Sequence, residues 1–574
     1  MTTSLATRWA RSFMSALCSA GVTSVVASPG SRSTALVLAA AAEPRLRIEM
    51  IVDERSAAFF ALGQARVSGR PSVLVCTSGS AAAHYFPAIL EAERALLPLI
   101  AVTADRPWEL GMFHANQAFD QTKLFGGHVK ASLDLGEPDP GRLRYVSRVA
   151  ALAVQRATSS APGPVHVNAR FRKPLEPSEP SWNDLSPEPP CIAHAAPASS
   201  FIPEAVTQAV RGARRGLVVM GPRLGSCCQD ERQRRAVARF VVERRFLLVA
   251  EVTSGVAHGA TSARHVLPAF DSWIELACDA GDAPDLIFEI GSPPTSSAWE
   301  RVSPRLGRIE RIVVGHSGLI DPTGTASQTV TADPAEFFER LGTGGACDEA
   351  WCARMTALAQ SAEGALSEAL SGAMLSEPFV VRSVIDSLPS GAALVLGNSS
   401  PVRDAELFAS RSERDIRVLH QRGLSGIDGL IAGAAGASTE LPAGVPLVAL
   451  IGDVSALHDV GSLAVAARVR APLTLVVIDN GGGRIFSELP VAEVIAATEL
   501  ERLFLTPPPD FLQHAARAFG IAYQRIETRA ALAESLALTP DGARLLHVVV
   551  PPDDGRRRRR TARAAVAQFH GAQR

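Results

Sequence analysis

The sequence predicts an α/β protein of three doubly wound, mainly parallel-sheet domains, and three observations carry that prediction. Short β-branched runs alternate with helical stretches along most of the chain. Two segments rich in proline, glycine or alanine break this rhythm into three blocks. Aromatic residues make up only 5% while Ala, Val, Leu and Gly abound, which suits close helix-on-sheet packing better than an aromatic-rich β-sandwich. At 574 residues, against about 150 per domain, the chain is too long for a single small binding module. Its residues are 47% apolar and 20% charged, with 57 Lys+Arg against 58 Asp+Glu, the composition of a folded protein and not of a disordered or polyanion-coating one. Any functional charge must therefore be local.

The elements follow in order. Leu5, Trp9, Phe13, Ala16 and Leu17 recur at helical spacing before Gly21, so the chain opens with an amphipathic helix and a glycine stop. Arg8 and Arg11 followed by Ser12 to Ala20 only faintly mimic a signal peptide. Strands are expected at 23–27, 47–52, 72–77, 98–103 and 165–168. Between Lys173 and Pro203, eight prolines (Pro174, Pro177, Pro180, Pro187, Pro189, Pro190, Pro197 and Pro203) mark a stiff, extended linker. A second block has strand candidates at 217–220, 246–250, 286–290 and 311–315, and fades into a Gly- and Ala-rich stretch over 341–376. The third block has strands at 393–396, 417–420, 447–451, 473–478 and 545–550. The expected domains are 1–185, 200–345 and 377–574.

Several features bound the chemistry. The eight cysteines are scattered without a C-x-x-C pair, so inert buried thiols and a reducing, cytoplasmic setting are expected rather than disulfides or a zinc site at Cys227-Cys228 or Cys347/Cys352. No run approaches the roughly 18 apolar residues of a transmembrane helix. The run Arg556 to Arg560 reads as a solvated terminal helix or tail in preference to a polyanion tether, and no nucleic-acid partner is expected. No G-x-G-x-x-G opens a helix of the middle block, so no NAD or FAD is expected there.

The chemistry concentrates in the third block. Gly452-Asp453-Val454-Ser455 follows one apolar strand and Asp479-Asn480-Gly481-Gly482-Gly483 follows the next, and such strand carboxyl ends are where ligands bind in open α/β sheets. Asp453 and Asn480 are 27 positions apart, enough for one helix and one strand to bring them side by side. A carboxylate, an amide oxygen and a glycine-turn carbonyl make a hard-oxygen site for Mg²⁺, with diphosphate oxygens completing its octahedron. Either motif alone would read as a turn. Together they resemble the Gly-Asp…Asn signature of thiamine diphosphate enzymes. Those enzymes also need a glutamate from another domain, and Glu54, at a strand-to-helix junction in Val52-Asp53-Glu54-Arg55-Ser56, is the candidate.

Further motifs narrow the resemblance. The first block carries Ser28-Pro29-Gly30-Ser31-Arg32-Ser33-Thr34, Cys76-Thr77-Ser78-Gly79-Ser80, Thr103-Ala104-Asp105-Arg106-Pro107 and Ala115-Asn116-Gln117. The third carries Gly397-Asn398-Ser399-Ser400-Pro401-Val402-Arg403, Arg422-Gly423-Leu424-Ser425-Gly426-Ile427-Asp428-Gly429 and Asn480-Gly481-Gly482-Gly483-Arg484-Ile485-Phe486-Ser487. The series resembles the 2-succinyl-5-enolpyruvyl-6-hydroxy-3-cyclohexene-1-carboxylate synthases of menaquinone biosynthesis, the MenD family. The likeness covers essentially the whole chain and is weakest in the middle block.

That resemblance implies the three-domain fold of thiamine diphosphate enzymes: a pyrimidine-binding domain, a central domain and a domain binding diphosphate and Mg²⁺, with Mn²⁺ as a substitute cation. It implies decarboxylation of 2-oxoglutarate followed by 1,4-addition to isochorismate. Glu54 becomes the acid/base group against the cofactor pyrimidine, and Ile427 the apolar residue on which the cofactor folds. Ser399 and Ser455 join the cofactor contacts, and Asp453, Asn480 and the Gly482 carbonyl hold the metal. Dicarboxylate substrates call for arginine forks, for which Arg32, Arg106, Arg403 and Arg422 are candidates. Ser31, Gln117 and Ser399 are expected near substrate, with Ile485 and Phe486 as an apolar wall. Because the glutamate and the metal motif meet across a subunit interface in the family, a homodimer or homotetramer is expected.

Departures from the family pattern are Ser80 for Thr, His84 for Asn and His114 for Gly. The lysine that some members supply from the central domain has no counterpart near Gly291 to Ser297. The alternatives are an acetohydroxyacid synthase-like carboligase, a non-catalytic scaffold that keeps the fold, and polyanion binding through the arginine run. Intact Glu54, Asp453 and Asn480 argue against the scaffold.

Overall fold

Fully apolar runs of four to seven residues cannot alternate between a wet and a dry face, so they form strands covered on both sides, as in parallel sheets wrapped by helices. The computed structural model describes residues 4–111, 113–177, 201–316, 320–341, 345–372, 374–409 and 411–572. It contains three all-parallel sheets. The first is built from β1 (Ser24–Ala27), β2 (Arg47–Met50), β3 (Ser72–Cys76), β4 (Leu99–Asp105), β5 (Ser132–Gly136) and β6 (Pro164–Arg170), in the order β2-β1-β3-β4-β6-β5. The second comprises β7 (Gly216–Met220), β8 (Leu247–Ala250), β9 (Leu286–Ile290), β10 (Glu310–Gly315) and β11 (Gln328–Thr331), in the order β8-β7-β9-β10-β11. The third uses β12 (Ala393–Leu396), β13 (Arg417–His420), β14 (Leu447–Gly452), β15 (Leu473–Asp479), β16 (Ala522–Ile526) and β17 (Ala543–Val549), in the order β13-β12-β14-β15-β17-β16.

The first and third sheets therefore share one strand order. In each, the connections leave in opposite directions from the first and third strands, which opens a crevice at their carboxyl ends. The expected α/β class and parallel sheets are found. Three strands were not expected, β5, β11 and β16, and each lies at a sheet edge with most of its residues at least partly exposed. Half-wet edge strands carry polar residues and lose the continuous apolar run that marks a buried strand.

Chain contacts divide the molecule into two units. One contains residues 1–197 with 431–441 and 464–466, and the other the remainder. In the first unit the expected helix, Leu5–Ser19, is capped by the Ser4 side chain and buries Trp9, Phe13, Met14 and Leu17 in the core of the first sheet. Helix Glu54–Ser68 packs very closely on residues 431–438. A Cβ on Gly63 would lie 2.0 Å from the Gly433 carbonyl oxygen, and one on Gly436 would lie 1.9 Å from that of Phe60, so only glycine permits this approach.

In the second unit, helices Glu349–Ala369 and Asp554–Ala572 cover one face of the second sheet, where Trp351, Met355, Leu358, Ala562 and Val566 share an apolar cluster with Leu217, Val249 and Ile287. The arginine run thus lies in a docked helix. Arg559 is only 4% exposed and Arg558 is half-buried, so the expectation of a solvated run is corrected. The apolar face of the helix carries these positions inward, and carboxylates meet them there.

The central part of the proline-rich linker, with Pro180, Pro187, Pro189, Pro190 and Pro197, lies outside the described residues, as do Cys191 and the expected boundary at 185. The seven other cysteines are free thiols. Burial raises the pKa of Cys18, Cys76, Cys227, Cys278, Cys347 and Cys352, while Cys228 is exposed, against the expectation of buried thiols throughout. Among the described residues no helix is long and apolar enough to cross a membrane.

Candidate active site

In the third sheet, the crevice between the ends of β12 and β14 holds Asn398 and Ser399 on one side and Asp453 on the other. The Asn480 turn follows β15 next door. Asp453 opens helix Asp453–His458 and is 3% exposed. Its Oδ1 accepts the Val454 amide at 2.8 Å and its Oδ2 the Gly482 amide at 2.7 Å. Burial pushes its pKa up to about 6. The neighbouring Asp479 is held below the usual carboxylate range by its 2.8 Å bond to His547 Nε2, and His547 Nδ1 pairs with the Tyr523 hydroxyl, also at 2.8 Å. Two carboxyl groups thus lie together here, Asp479 held low by its histidine and Asp453 raised by burial.

Gly482 has φ +109°, and a Cβ there would lie 2.3 Å from the Leu505 carbonyl oxygen, so the turn demands glycine. The Gly482 carbonyl accepts the Arg484 amide at 2.7 Å, which leaves it one further lone pair. Asn480 is 7% exposed, its Nδ2 donates to Glu377 Oε1 at 3.1 Å, and its Oδ1 has no hydrogen-bond partner among the described residues. A buried amide oxygen left without a donor, beside a buried carboxylate, is the donor set a hard cation takes. Ser455 lies buried on the Asp453 helix.

The residues around this turn are held by their own network. Ser399 has φ +70° and ψ −130°, a region that costs a non-glycine residue about 1–3 kcal/mol and that persists where surrounding structure imposes it. Arg403 Nη1 donates to the Ser399 carbonyl at 2.8 Å, and burial lowers the Arg403 pKa. Arg422 donates to Asn398 Oδ1 at 3.0 Å and to Thr295 Oγ1 at 3.1 Å. Thr295 stands in the segment after β9 and is gripped by Glu251, whose pKa burial pushes up to about 7. The second sheet therefore touches a candidate substrate arginine through a threonine, where the sequence had offered no lysine. Ile427, Ile485 and Phe486 are half-buried, and the Phe486 ring lies 5.6 Å from that of Phe504.

In the first unit the corresponding strand ends carry a second set. Glu54 is the first residue of its helix, and the Asp53 side chain caps that helix by accepting the Arg55 and Ser56 amides. Buried Cys76 and Tyr85, both raised in pKa first by desolvation, also feel the Glu54 carboxylate. Arg32 is 5% exposed and bonds the Phe171 carbonyl at 2.7 Å; burial, then the neighbouring Arg106, lowers its pKa. Arg106 keeps a buried Nε with no partner among the described residues. Asp105, Asn168 and Gln121 form a buried network that accepts the Arg106 and Gly79 amides, so the loops after β3 and β4 are fixed from beneath. Ser31 and Gln117 are exposed at this edge, Gln117 with φ +53°.

Comparison with known proteins agrees with both halves of this picture. Residues 7–124 match the thiamine pyrophosphate enzyme N-terminal TPP binding domain, and residues 404–548 the C-terminal TPP binding domain. The chain is 45% identical over 571 residues to the 2-succinyl-5-enolpyruvyl-6-hydroxy-3-cyclohexene-1-carboxylate synthase of Sorangium cellulosum, covering 94% of this chain and 92% of that protein. The synthases of Geobacillus kaustophilus and Myxococcus xanthus are 38% and 36% identical, each covering more than nine-tenths of both chains. The chain belongs to this synthase family.

Membership also gives the departures a physical reading. His114 has a φ of +54°, a left-handed backbone that favours the glycine expected there from the family resemblance. His84 is exposed on a short helix, Ser80–Tyr85, that Ser80 opens. Sequence reasoning gave Asp479 no role of its own and missed its partners His547 and Tyr523, as well as Glu377 behind Asn480. Asp479 was visible as the residue before Asn480, but its partners are far away in sequence.

Proposed function

We propose that this chain performs the synthase reaction of its family, decarboxylating 2-oxoglutarate and adding the resulting succinyl unit to isochorismate in a 1,4-addition that gives 2-succinyl-5-enolpyruvyl-6-hydroxy-3-cyclohexene-1-carboxylate. Identity to named synthases across 94% of the chain carries this reading. Bound thiamine diphosphate supplies the electron sink for loss of CO₂ and the carbon nucleophile for the addition.

In this reading Asp453 and Asn480 Oδ1 would hold Mg²⁺, with the Gly482 carbonyl offering its second lone pair, and so would fix where a diphosphate binds. A bound cation would offset the burial that raises the Asp453 pKa and so would favour its carboxylate form. Glu54, with its carboxylate at the ligand-binding edge of the first sheet, exchanges a proton with the cofactor pyrimidine nitrogen. Ile427 would pack against the bound cofactor, and Ser399 and Ser455 would contact it. Arg32, Arg106, Arg403 and Arg422 hold substrate carboxylates, with Ser31 and Gln117 nearby; the partnerless Arg106 Nε supports this for one of them. Ile485 and Phe486 shield the isochorismate ring.

The site is completed by a second copy of the chain, as a homodimer or a pair of dimers. Val52 beside Glu54 is 80% exposed, and Trp108 and Phe113 are 65% and 82% exposed at the same sheet edge, an apolar surface that a partner would cover. The expected domains, 1–185, 200–345 and 377–574, are the pyrimidine-binding, central and diphosphate-binding domains of this reading.

The test is product identification by mass spectrometry. With thiamine diphosphate and Mg²⁺ present, purified protein given 2-oxoglutarate and isochorismate should form the succinylated product, and pyruvate should not replace 2-oxoglutarate. Turnover of pyruvate alone would favour the acetohydroxyacid synthase-like alternative.

A further inference from the structure

Arg559 comes from the arginine run, and nothing in the reaction above uses it. Yet it is among the most enclosed charges of the second unit, 4% exposed, and it meets three carboxylates. Nη1 lies 2.6 Å from Asp404 Oδ1 and 3.7 Å from Glu377 Oε2, and Nε donates to Glu488 Oε1 at 2.8 Å. Two of these carboxylates belong to segments that carry candidate site residues, and the third bonds one directly. Asp404 follows Arg403 on helix Ser400–Phe408, directly after Ser399. Glu488 ends the turn Arg484–Glu488, which holds Ile485 and Phe486. Glu377 accepts the Asn480 amide. Gly555 permits the approach, since a Cβ there would sit 2.7 Å from Glu377 Oε2.

The link to Asn480 has a chemical consequence. A carboxamide presents an oxygen on one side and an NH₂ on the other, and the two orientations fill nearly the same space. Glu377 is 4% exposed and presents an acceptor at 3.1 Å, so the nitrogen must face it and the oxygen must face away. That oxygen is the buried atom without a partner. With no acceptor at 377, the amide is free to turn and offer its NH₂ where a cation would bind.

We propose that Glu377, held in place by Arg559, is a positioning residue that fixes the Asn480 amide with its oxygen toward the metal. This inference rests on the reading of Asp453 and Asn480 as cation ligands. Outer partners of this kind typically change metal affinity by about 10- to 100-fold when removed.

A double-mutant cycle tests it, with Mn²⁺ as the probe and thiamine diphosphate saturating. Free Mn²⁺ is counted by electron paramagnetic resonance, so no catalysis is needed. Glu377→Ala should weaken Mn²⁺ binding about 10- to 100-fold, but should cost less than about threefold further in an Asn480→Ala background, because the amide is then gone. Glu377→Gln, which keeps an oxygen acceptor, should recover most of the affinity. Should the alanine variant not fold, Glu377→Met fills the same space without an acceptor and is read in the same cycle. An equal loss in both backgrounds, or no loss in the parent background, overturns the proposal. Failure of the parent itself to bind Mn²⁺ with the cofactor would instead overturn the metal reading on which it rests.

Discussion

Gly482→Ala puts a defined strain on the centre of the site. The added Cβ would lie 2.3 Å from the Leu505 carbonyl oxygen, where an ordinary contact begins near 3.4 Å, so the turn must move by the difference, 1.1 Å. At φ +109° an L-residue is strained even with space, at about 1–3 kcal/mol. The turn also carries the Gly482 amide bonded to Asp453 Oδ2 at 2.7 Å, a hydrogen bond to a charged group worth about 1.5–3 kcal/mol. Relief of the clash breaks that bond and frees Asp453 from its orientation. We expect apparent Mg²⁺ affinity, measured by calorimetry at saturating thiamine diphosphate, to fall at least about tenfold. Gly481→Ala is the control: its φ is +77°, but its nearest neighbour is the flexible end of Arg484 at 3.3 Å, so it should bear mainly the backbone strain. Parental Mg²⁺ affinity in Gly482→Ala, or an equal loss in Gly481→Ala, would refute this reasoning.

Three further outcomes follow from the same geometry. Burial pushes the His258 pKa down to about 3 and that of His166 to about 4. The unfolded chain protonates such rings below about pH 6.5 while the folded chain does not, so each loses about 2 kcal/mol of stability between pH 7.5 and 5.0. His258→Leu, which removes two ring nitrogens without partners among the described residues, should flatten part of that loss in urea titrations at the two pH values; an unchanged pH dependence would count against it. Ser399→Gly should raise the melting temperature, by relieving about 1–3 kcal/mol of strain, while lowering turnover; a lower melting temperature would show that the strained conformation is not costly. Mixing inactive Glu54→Gln and Asp453→Ala chains under subunit exchange should restore about one quarter of parental activity, because half of the random dimers are mixed and each holds one intact site. No recovery, with exchange verified, would place both residues in one chain.

The sequence carried most of the fold because the central strands hold largely apolar runs, such as 447–451 and 475–478, that read as buried whatever surrounds them. Edge strands β5, β11 and β16 escaped because their exposed faces are polar: Ala522–Ile526 buries only Ile526. The neighbouring turns that bear Asp453 and Asn480 were legible, since Gly-Asp and Asn-Gly-Gly stand at the carboxyl ends of such strands. Glu377 was not, because it meets Asn480 across 103 residues, and Arg559 was read as solvated because a charge run gives no hint of carboxylates 155 positions away. His114 is the converse case, in which a departure from the family pattern became intelligible only through its backbone angle.

The central claim is that Glu54 moves the proton that starts cofactor chemistry in this chain. The most direct measurement is isochorismate consumption by purified protein with 2-oxoglutarate, Mg²⁺ and thiamine diphosphate, beside Glu54→Gln. The account predicts turnover by the parent and its near-loss in a variant that still folds and binds Mg²⁺. Full activity in Glu54→Gln, or a folded, cofactor-loaded parent that leaves isochorismate untouched, would contradict it.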